Sequence, residues 1–277
     1  MLYNVKAYHQ PTDIDEALRL LQRDDVTTLA LYDDLTTVPP EIRGRYEEAV
    51  DLSALGLAGI AYEANLLRIG GGTPLQTMVE ELGDMAGGLL AETAHLTASW
   101  HKRNTATLGG LIASGWTAAP LMVALNVLGA QVNLTGSDEP IPLSALAAEN
   151  LAGAIITGLE IELTEDVVGT AYEQVGRAPK DLPIVNAAAY VQPIQEELWT
   201  AHVAVGGVLS GNLLRLDVSI NGDTTDLSNL KVLTEQVSGD RLDDRLGSQD
   251  YRLEMAMILA RRTLTTALGQ TGITVQA

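Results

Sequence analysis

The sequence predicts an α+β fold, and three observations carry the prediction. Apolar runs of strand length are interleaved with segments of helical period, but not in the strict alternation of a doubly wound parallel sheet. Past about residue 166, several strand candidates precede one long helix. The chain has 277 residues, 46% hydrophobic and 19% charged, a globular balance of roughly one to two domains.

Each element follows from a local signal. Asp13 opens the first helix: Asp13-Ile14-Asp15-Glu16 reads as a capping box, and Ala17, Leu18, Leu20 and Leu21 follow. Residues 26–31 are a short apolar run, read as a strand, and Pro39-Pro40 then breaks the chain. Strand character returns over 47–52, and small residues over 55–60 lead to another apolar run at 66–69. Gly70-Gly71-Gly72 is followed by a helix with Thr73 as N-cap and Pro74 at its first position. Residues 90–99 and 120–128 are helical in composition, whereas 130–134 and 155–163 read as strands. Further strand candidates lie at 187–191, 202–206 and 214–220, and Asn221-Gly222 is a hairpin signal. In the final helix Tyr251, Met255, Ile258, Leu259 and Leu264 recur at helical spacing, with Arg252, Glu254, Arg261 and Arg262 between them.

Composition removes whole classes of function. The chain has no Cys, so it holds no disulfide, thiolate nucleophile or cysteine-ligated iron–sulfur cluster. Lys and Arg number 17 against 36 Asp and Glu, a net charge of −19. Such a surface repels phosphate backbones and anionic lipid, so neither nucleic acid nor a membrane is an expected partner. Residues 104–137 carry no charge, but Gly109, Gly110, Ser114, Gly115, Pro120, Asn126 and Gln131 interrupt them. That pattern predicts buried strand, turn and helix rather than a membrane span. The opening residues lack an apolar h-region, so no signal peptide is expected, and the expected location is the cytoplasm.

The side chains that usually carry chemistry are scattered. His9, His95, His101 and His202 share no metal-ligand spacing, and no G-x-S-x-G elbow exists. Asp33-Asp34 and Asp243-Asp244 read as solvated loops, because an acid–base dyad needs burial to separate its pKa values. No catalytic residue and no metal ligand is therefore assigned. Two glycine clusters are more informative. The first, Ile69-Gly70-Gly71-Gly72-Thr73, lies at a strand-to-helix junction, where N–H groups can cradle an anion or simply make a tight turn. The second is Arg103-Asn104-Thr105-Ala106-Thr107-Leu108-Gly109-Gly110. Its glycines let backbone approach a ligand closely, Thr107 adds a hydroxyl and Arg103 a cation. A phosphate-binding loop and a plain turn fit this chemistry equally.

At this second cluster a family resemblance emerges. Arg103-Asn104-x-x-Thr107-Leu108-Gly109-Gly110 resembles the second flavin-binding loop in the FAD-binding (medium) subunit of the molybdenum hydroxylases. These are the xanthine dehydrogenase, carbon monoxide dehydrogenase and aldehyde oxidoreductase type. The resemblance extends in order along the chain. Residues 11–21 are similar to the family's opening helix, and Asp51-Leu52-Ser53-Ala54-Leu55 to its following strand and turn. Leu67-Arg68-Ile69-Gly70 resembles the strand that opens the second FAD subdomain, which makes the triple glycine a scaffold turn. Ile155-Ile156-Thr157-Gly158-Leu159-Glu160-Ile161 resembles a later family strand. Residues 172–177, Asp181 and Asn186-Ala187-Ala188 resemble the start of the C-terminal domain. Val205-Gly206-Gly207, residues 247–252 and Arg261-Arg262 resemble its later strand and final helix.

The resemblance implies two small α+β FAD-binding subdomains of the molybdopterin dehydrogenase type, at 1–54 and 55–165. A C-terminal domain of antiparallel sheet plus helices would span 166–277. It implies a subunit that relays electrons from a partner iron–sulfur subunit through FAD to an acceptor. The iron–sulfur subunit is fed in turn by a molybdopterin-binding large subunit, and a second copy of the chain is a further candidate partner. The implied cofactor-binding residues are Arg103, Asn104, Thr107, Leu108, Gly109, Gly110 and Ser114.

The departures from the pattern are equally specific. The family's first pyrophosphate loop reads roughly Ala-Gly-Gly-Thr-Asp-Leu, whereas this chain has Ala30-Leu31-Tyr32-Asp33-Asp34-Leu35. Leu31 and Tyr32 carry a Cβ where backbone should approach phosphate. Asp33 would add a like charge, which at about 4 Å and an effective dielectric near 20 costs on the order of 4 kcal/mol. Leu111, Pro120 and Gln174 replace a family Asn, Asp and Lys. Two readings stay open: a flavoprotein subunit with a modified loop, and a flavin-free structural or assembly subunit.

Overall fold

The computed structural model describes all residues except 1–4, 24, 33–44, 165, 167, 179–180, 196, 211–212, 223, 228–229, 236, 238–240 and 276–277. Asp33, Asp34, Leu35, the Pro39-Pro40 break and Val167, near which the third segment opens, lie outside the described residues. The chain divides into two compact units, each discontinuous in sequence. One comprises Met1–Met78, Ser99–Gly115 and Gln131–Ile161; the other comprises Val79–Ala98, Trp116–Ala130 and Glu162–Ala277. This is a division in space, whereas 1–54, 55–165 and 166–277 is a division along the chain.

The first unit opens with β1 (Ala7–His9), α1 (Ile14–Leu21), β2 (Thr28–Leu31) and β3 (Glu48–Asp51). The strands form a parallel sheet in the order β1-β3-β2. Asp13 caps α1 as the sequence predicts, its carboxylate accepting the Glu16 N–H at 3.0 Å. A second sheet begins with β4 (Ile60–Glu63) and β5 (Leu66–Gly70). Their connection carries Ala64 at φ 49° and Asn65 at φ 66°, two left-handed residues as in a primed hairpin turn. No glycine marks it, so the local signals leave β4 unread as a strand.

The helix α2 (Leu75–Glu81) starts one residue later than expected. The Pro74 carbonyl already accepts the Met78 N–H at 3.3 Å, so Pro74 borders the helix rather than opening it. Thr73 does not cap: its hydroxyl accepts the Gly59 N–H at 3.0 Å and donates to the Gly59 carbonyl at 3.1 Å. The uncharged stretch resolves into short helices. After α3 (Leu89–Thr97) and α4 (Trp100–Arg103) come α5 (Leu108–Ala113) and α6 (Pro120–Val127). Then β6 (Gln131–Leu134), β7 (Ile141–Pro142) and β8 (Ile156–Glu162) complete a sheet ordered β4-β5-β8-β6-β7. Among the described residues no helix is long and apolar enough to cross a membrane.

The second unit is built on an antiparallel sheet ordered β12-β11-β10-β9. Its strands are β9 (Gly169–Val175), β10 (Val185–Gln195), β11 (Leu198–Gly206) and β12 (Leu214–Asn221). The helix α6 packs on β10 and β11, and α3 on β9. Because α8 (Gln249–Gln270) also packs on β9, β10 and β11, the strand β10 is buried at every residue from Val185 to Val191, Asn186 included. The Asn221-Gly222 hairpin is a correction. Among the described residues, β13 (Thr224–Thr225) pairs in parallel with β14 (Thr274–Val275) and forms no hairpin with β12. A short helix, α7 (Lys231–Glu235), follows.

The buried face of α8 agrees with expectation at Leu259 and Leu264 and differs at Tyr251 and Ile258. It consists of Arg252, Ala256, Leu259, Ala260, Thr263, Leu264, Ala267 and Leu268, while Tyr251 and Ile258 are 38% and 40% exposed. The approach is closest at one point, where a Cβ on Gly169 of β9 would collide with the Ala267 carbonyl, so that crossing admits no side chain on the strand. Ala187, Ala189 and Ala201 share the same core.

Candidate functional site

The second glycine cluster forms the start of α5. Thr107 has extended backbone, with φ −108° and ψ 163°, and its hydroxyl oxygen accepts the Gly110 N–H at 3.1 Å. This is an N-cap, and it fixes the helix start that the two glycines would otherwise weaken. The Thr107 hydroxyl also lies 3.4 Å from the Tyr32 carbonyl, to which it donates. The Leu108 N–H donates to the Thr73 carbonyl at 3.0 Å, and the Gly109 N–H to the Gly71 carbonyl at 2.7 Å. The first-turn donors of α5 therefore already have partners inside the chain.

The triple glycine lies against this turn. Gly71 donates to the Thr157 carbonyl at 2.8 Å and Gly72 to the Leu57 carbonyl at 3.0 Å. A Cβ on Gly71 would run into the Ile156 carbonyl. Gly70-Gly71-Gly72 is thus a scaffold turn, as the resemblance implies, that lets backbone at 57–59, 107–109 and 156–157 pass closely. Gly109 lacks a Cβ for a similar reason. One built there would lie 2.6 and 2.8 Å from ring carbons of Tyr32 and 2.9 Å from the Gly71 carbonyl oxygen.

Tyr32, which the sequence marks as a departure from the family's first loop, has a place that only the structure gives. Only 8% exposed, it lays its ring on Gly109 and accepts the Ile156 N–H on its hydroxyl at 2.7 Å. Burial, partly opposed by that N–H, pushes its phenol up to about 12, so the group is neutral at ordinary pH. The usable signal was an aromatic residue standing where the family pattern has glycine.

Thr107 and Gly109 therefore meet Tyr32 and Gly71, while Leu108 bonds to Thr73 and Gly110 to Thr107. Arg103 is buried and donates from Nε to Gln76 Oε1 at 2.9 Å. Asn104 is exposed and donates to the Trp100 carbonyl at 2.7 Å, and Ser114 donates to the Leu111 carbonyl at 2.6 Å. Of the first loop, Ala30 and Leu31 end β2, and Asp33 and Asp34 lie outside the described residues. Leu111 is buried in α5, Pro120 opens α6, and Gln174 on β9 accepts the Tyr172 hydroxyl at 2.8 Å.

Two of the four histidines pair with carboxylates: His9 with Glu48 at 2.9 Å and His202 with Asp217 at 2.6 Å. Among the described residues no group of three or more His, Asp or Glu could hold a metal ion. The fit of a dinucleotide is decided at α5. The resemblance puts a diphosphate between the first loop and this turn, but the Tyr32 ring fills the space against Gly109. The N–H groups of Leu108, Gly109 and Gly110 are also engaged. With the side chains as they stand, a diphosphate does not fit there.

Residues 3–161 match the family model described as the FAD binding domain in molybdopterin dehydrogenase. The carbon monoxide dehydrogenase medium chain of Afipia carboxidovorans is 26% identical over 278 residues, covering 94% of this chain and 96% of that protein. Reconstituted CO dehydrogenase from Oligotropha carboxidovorans contains a chain that superposes with a TM-score of 0.79 at 24% identity, covering 98% of this chain and 100% of that one. A chain of quinoline 2-oxidoreductase from Pseudomonas putida 86 does so with a TM-score of 0.78 at 20% identity, covering 98% and 100%. At these identities the superpositions establish the fold. The match over residues 3–161 spans more than half of the 277 residues, and the chain belongs to the family of FAD-binding domains in molybdopterin dehydrogenases.

Proposed function

We propose that this chain is the flavin-domain subunit of a molybdopterin-dependent dehydrogenase complex, placed between an iron–sulfur subunit and an external electron acceptor. The observation that carries the reading is coverage: 94% of this chain aligns with 96% of a carbon monoxide dehydrogenase medium chain. The length of a whole subunit, not one borrowed domain, is matched. Its partners are a molybdopterin-binding large subunit and an iron–sulfur small subunit, with a second copy of the chain in the same assembly, in the cytoplasm. FAD is the cofactor of this reading. Arg103, Asn104, Thr107, Leu108, Gly109, Gly110 and Ser114 form the cofactor-facing loop, in the second of three segments at 1–54, 55–165 and 166–277. The chain's own residues contribute position and electrostatics, and the redox chemistry belongs to the flavin.

The test is purification of the tagged chain from its own cells, followed by molybdenum and iron analysis and acid extraction of flavin. Two co-purifying polypeptides carrying molybdenum and iron, with flavin in the extract, are expected; a chain that purifies alone defeats the reading. A second reading, a flavin-free structural subunit of the same complex, is favoured by one observation, the Tyr32 ring seated on Gly109. It predicts the same metals and partners with no flavin in the extract.

A further inference from the structure

The Tyr32 side chain is more than a bulky replacement for glycine. Its ring covers Gly109, its hydroxyl accepts the buried Ile156 N–H, and its carbonyl accepts the Thr107 hydroxyl. Three segments distant in sequence are closed by one residue, which leaves the Ile156 donor satisfied and the first turn of α5 covered. A bound diphosphate would do the same two jobs from outside: accept the Ile156 N–H and fill the space that glycines leave open. We infer that Tyr32 is a built-in occupant of the diphosphate place, so that FAD and the Tyr32–Ile156 hydrogen bond exclude each other and Tyr32 sets the cofactor affinity of this subunit. The inference rests on the reading of 103–110 as the cofactor loop.

The consequence is an affinity gain on removing a side chain. In wild type, FAD entry must turn out a buried ring and leave the Ile156 N–H without its partner, two costs that Tyr32→Gly abolishes. Tyr32→Gly in the full chain is expected to bind FAD about tenfold tighter or more, measured by equilibrium dialysis. Tyr32→Phe keeps the ring and loses only the hydroxyl, so its FAD affinity should stay far closer to wild type than to Tyr32→Gly. Its Ile156 amide should exchange faster. Equal FAD affinity in wild type and Tyr32→Gly, with both chains melting cooperatively, overturns the inference.

Should Tyr32→Gly not fold, amide exchange of wild type at saturating FAD decides. Bound FAD with Ile156 still protected overturns the inference; loss of that protection on binding, or no binding at millimolar FAD, supports it. The two failures are separable. Flavin in the purified assembly with Tyr32→Gly binding no tighter leaves the subunit reading intact and removes the inference. A flavin-free assembly with Tyr32→Gly gaining FAD keeps the inference and selects the flavin-free form of the subunit.

Discussion

Two junctions in this protein solve one problem with opposite chemistry. In each, glycines allow backbone segments to crowd together, and one large side chain closes the gap. In the first unit the closing group is the neutral Tyr32 ring, over Gly109 and beside the Gly71 turn. In the second it is the Arg252 guanidinium, 3% exposed. Arg252 donates from Nε to the Gly247 carbonyl at 3.1 Å, and from Nη1 to the Ile184 and Gly207 carbonyls at 2.7 and 2.8 Å. Its Nη2 meets Asp244 at 2.7 Å. Gly207 itself has φ +84°, which a side chain would strain, and a Cβ there would strike the Ile184 carbonyl. Burial would raise the Asp244 pKa, but the Leu246 N–H and Arg252 outweigh it and hold the carboxyl below its usual range. Opening the first junction costs apolar contact and one hydrogen bond. Opening the second would strand a buried cation and several carbonyls, which makes it a fixed structural lock. Residues of both junctions belong to the segments that resemble the flavoprotein family, so motif membership alone does not make a residue a ligand contact.

The largest effect should come from the charged junction. Arg252→Met leaves three carbonyls without their donor, a cost of about 1–3 kcal/mol in urea unfolding for each that stays buried. Arg252→Lys should recover little, because a point charge cannot serve a fork of acceptors; full recovery would show that charge alone holds the junction. Next is Gly109→Ala, whose Cβ meets the Tyr32 ring, at about 1–3 kcal/mol. Combined with Tyr32→Gly, the penalties should fall short of additivity by on the order of 1 kcal/mol, because the ring clash is gone. Strict additivity would mean that the Gly71 carbonyl, not the ring, enforces the glycine.

Smaller still is Thr107→Ala, which removes the α5 cap at about 1 kcal/mol, with Thr107→Ser restoring most of it. The smallest effect belongs to an exposed pair that contrasts with the buried one. The His202 hydrogen bond and the Arg215 charge hold the Asp217 carboxyl below its usual range. A carboxyl depressed in the folded state adds stability above its unfolded value near about 4, and loses it as the pH falls through the folded value. Asp217→Asn should therefore lower the melting temperature slightly at pH 7, by under about 1 kcal/mol in stability. The difference from wild type should close at about pH 2; a gap that persists there would assign the effect to packing.

What local chemistry encodes was legible along the chain. Asp13 capped α1, the apolar runs at 66–69, 130–134 and 155–163 became β5, β6 and β8, and the uncharged stretch became short helices because glycine and proline interrupt it. The family was legible too, since its order of motifs survives in sequence. Other features depended on partners far along the chain. Thr73 lost its capping role to Gly59, and the Ala64-Asn65 turn formed without glycine because β4 and β5 had to pair. On α8 Leu259 and Leu264 turned inward as their spacing predicts, whereas Tyr251 and Ile258 turned outward and Ala256, Ala260 and Ala267 took buried positions beside the sheet. The sequence alone determined the fold class, the cap of α1 and the loss of glycine at positions 31 and 32. Only the tertiary structure decided that Tyr32 turns inward onto Gly109. Its hydrogen-bond partner lies 124 residues away, and no local rule connects a ring to a donor that distant.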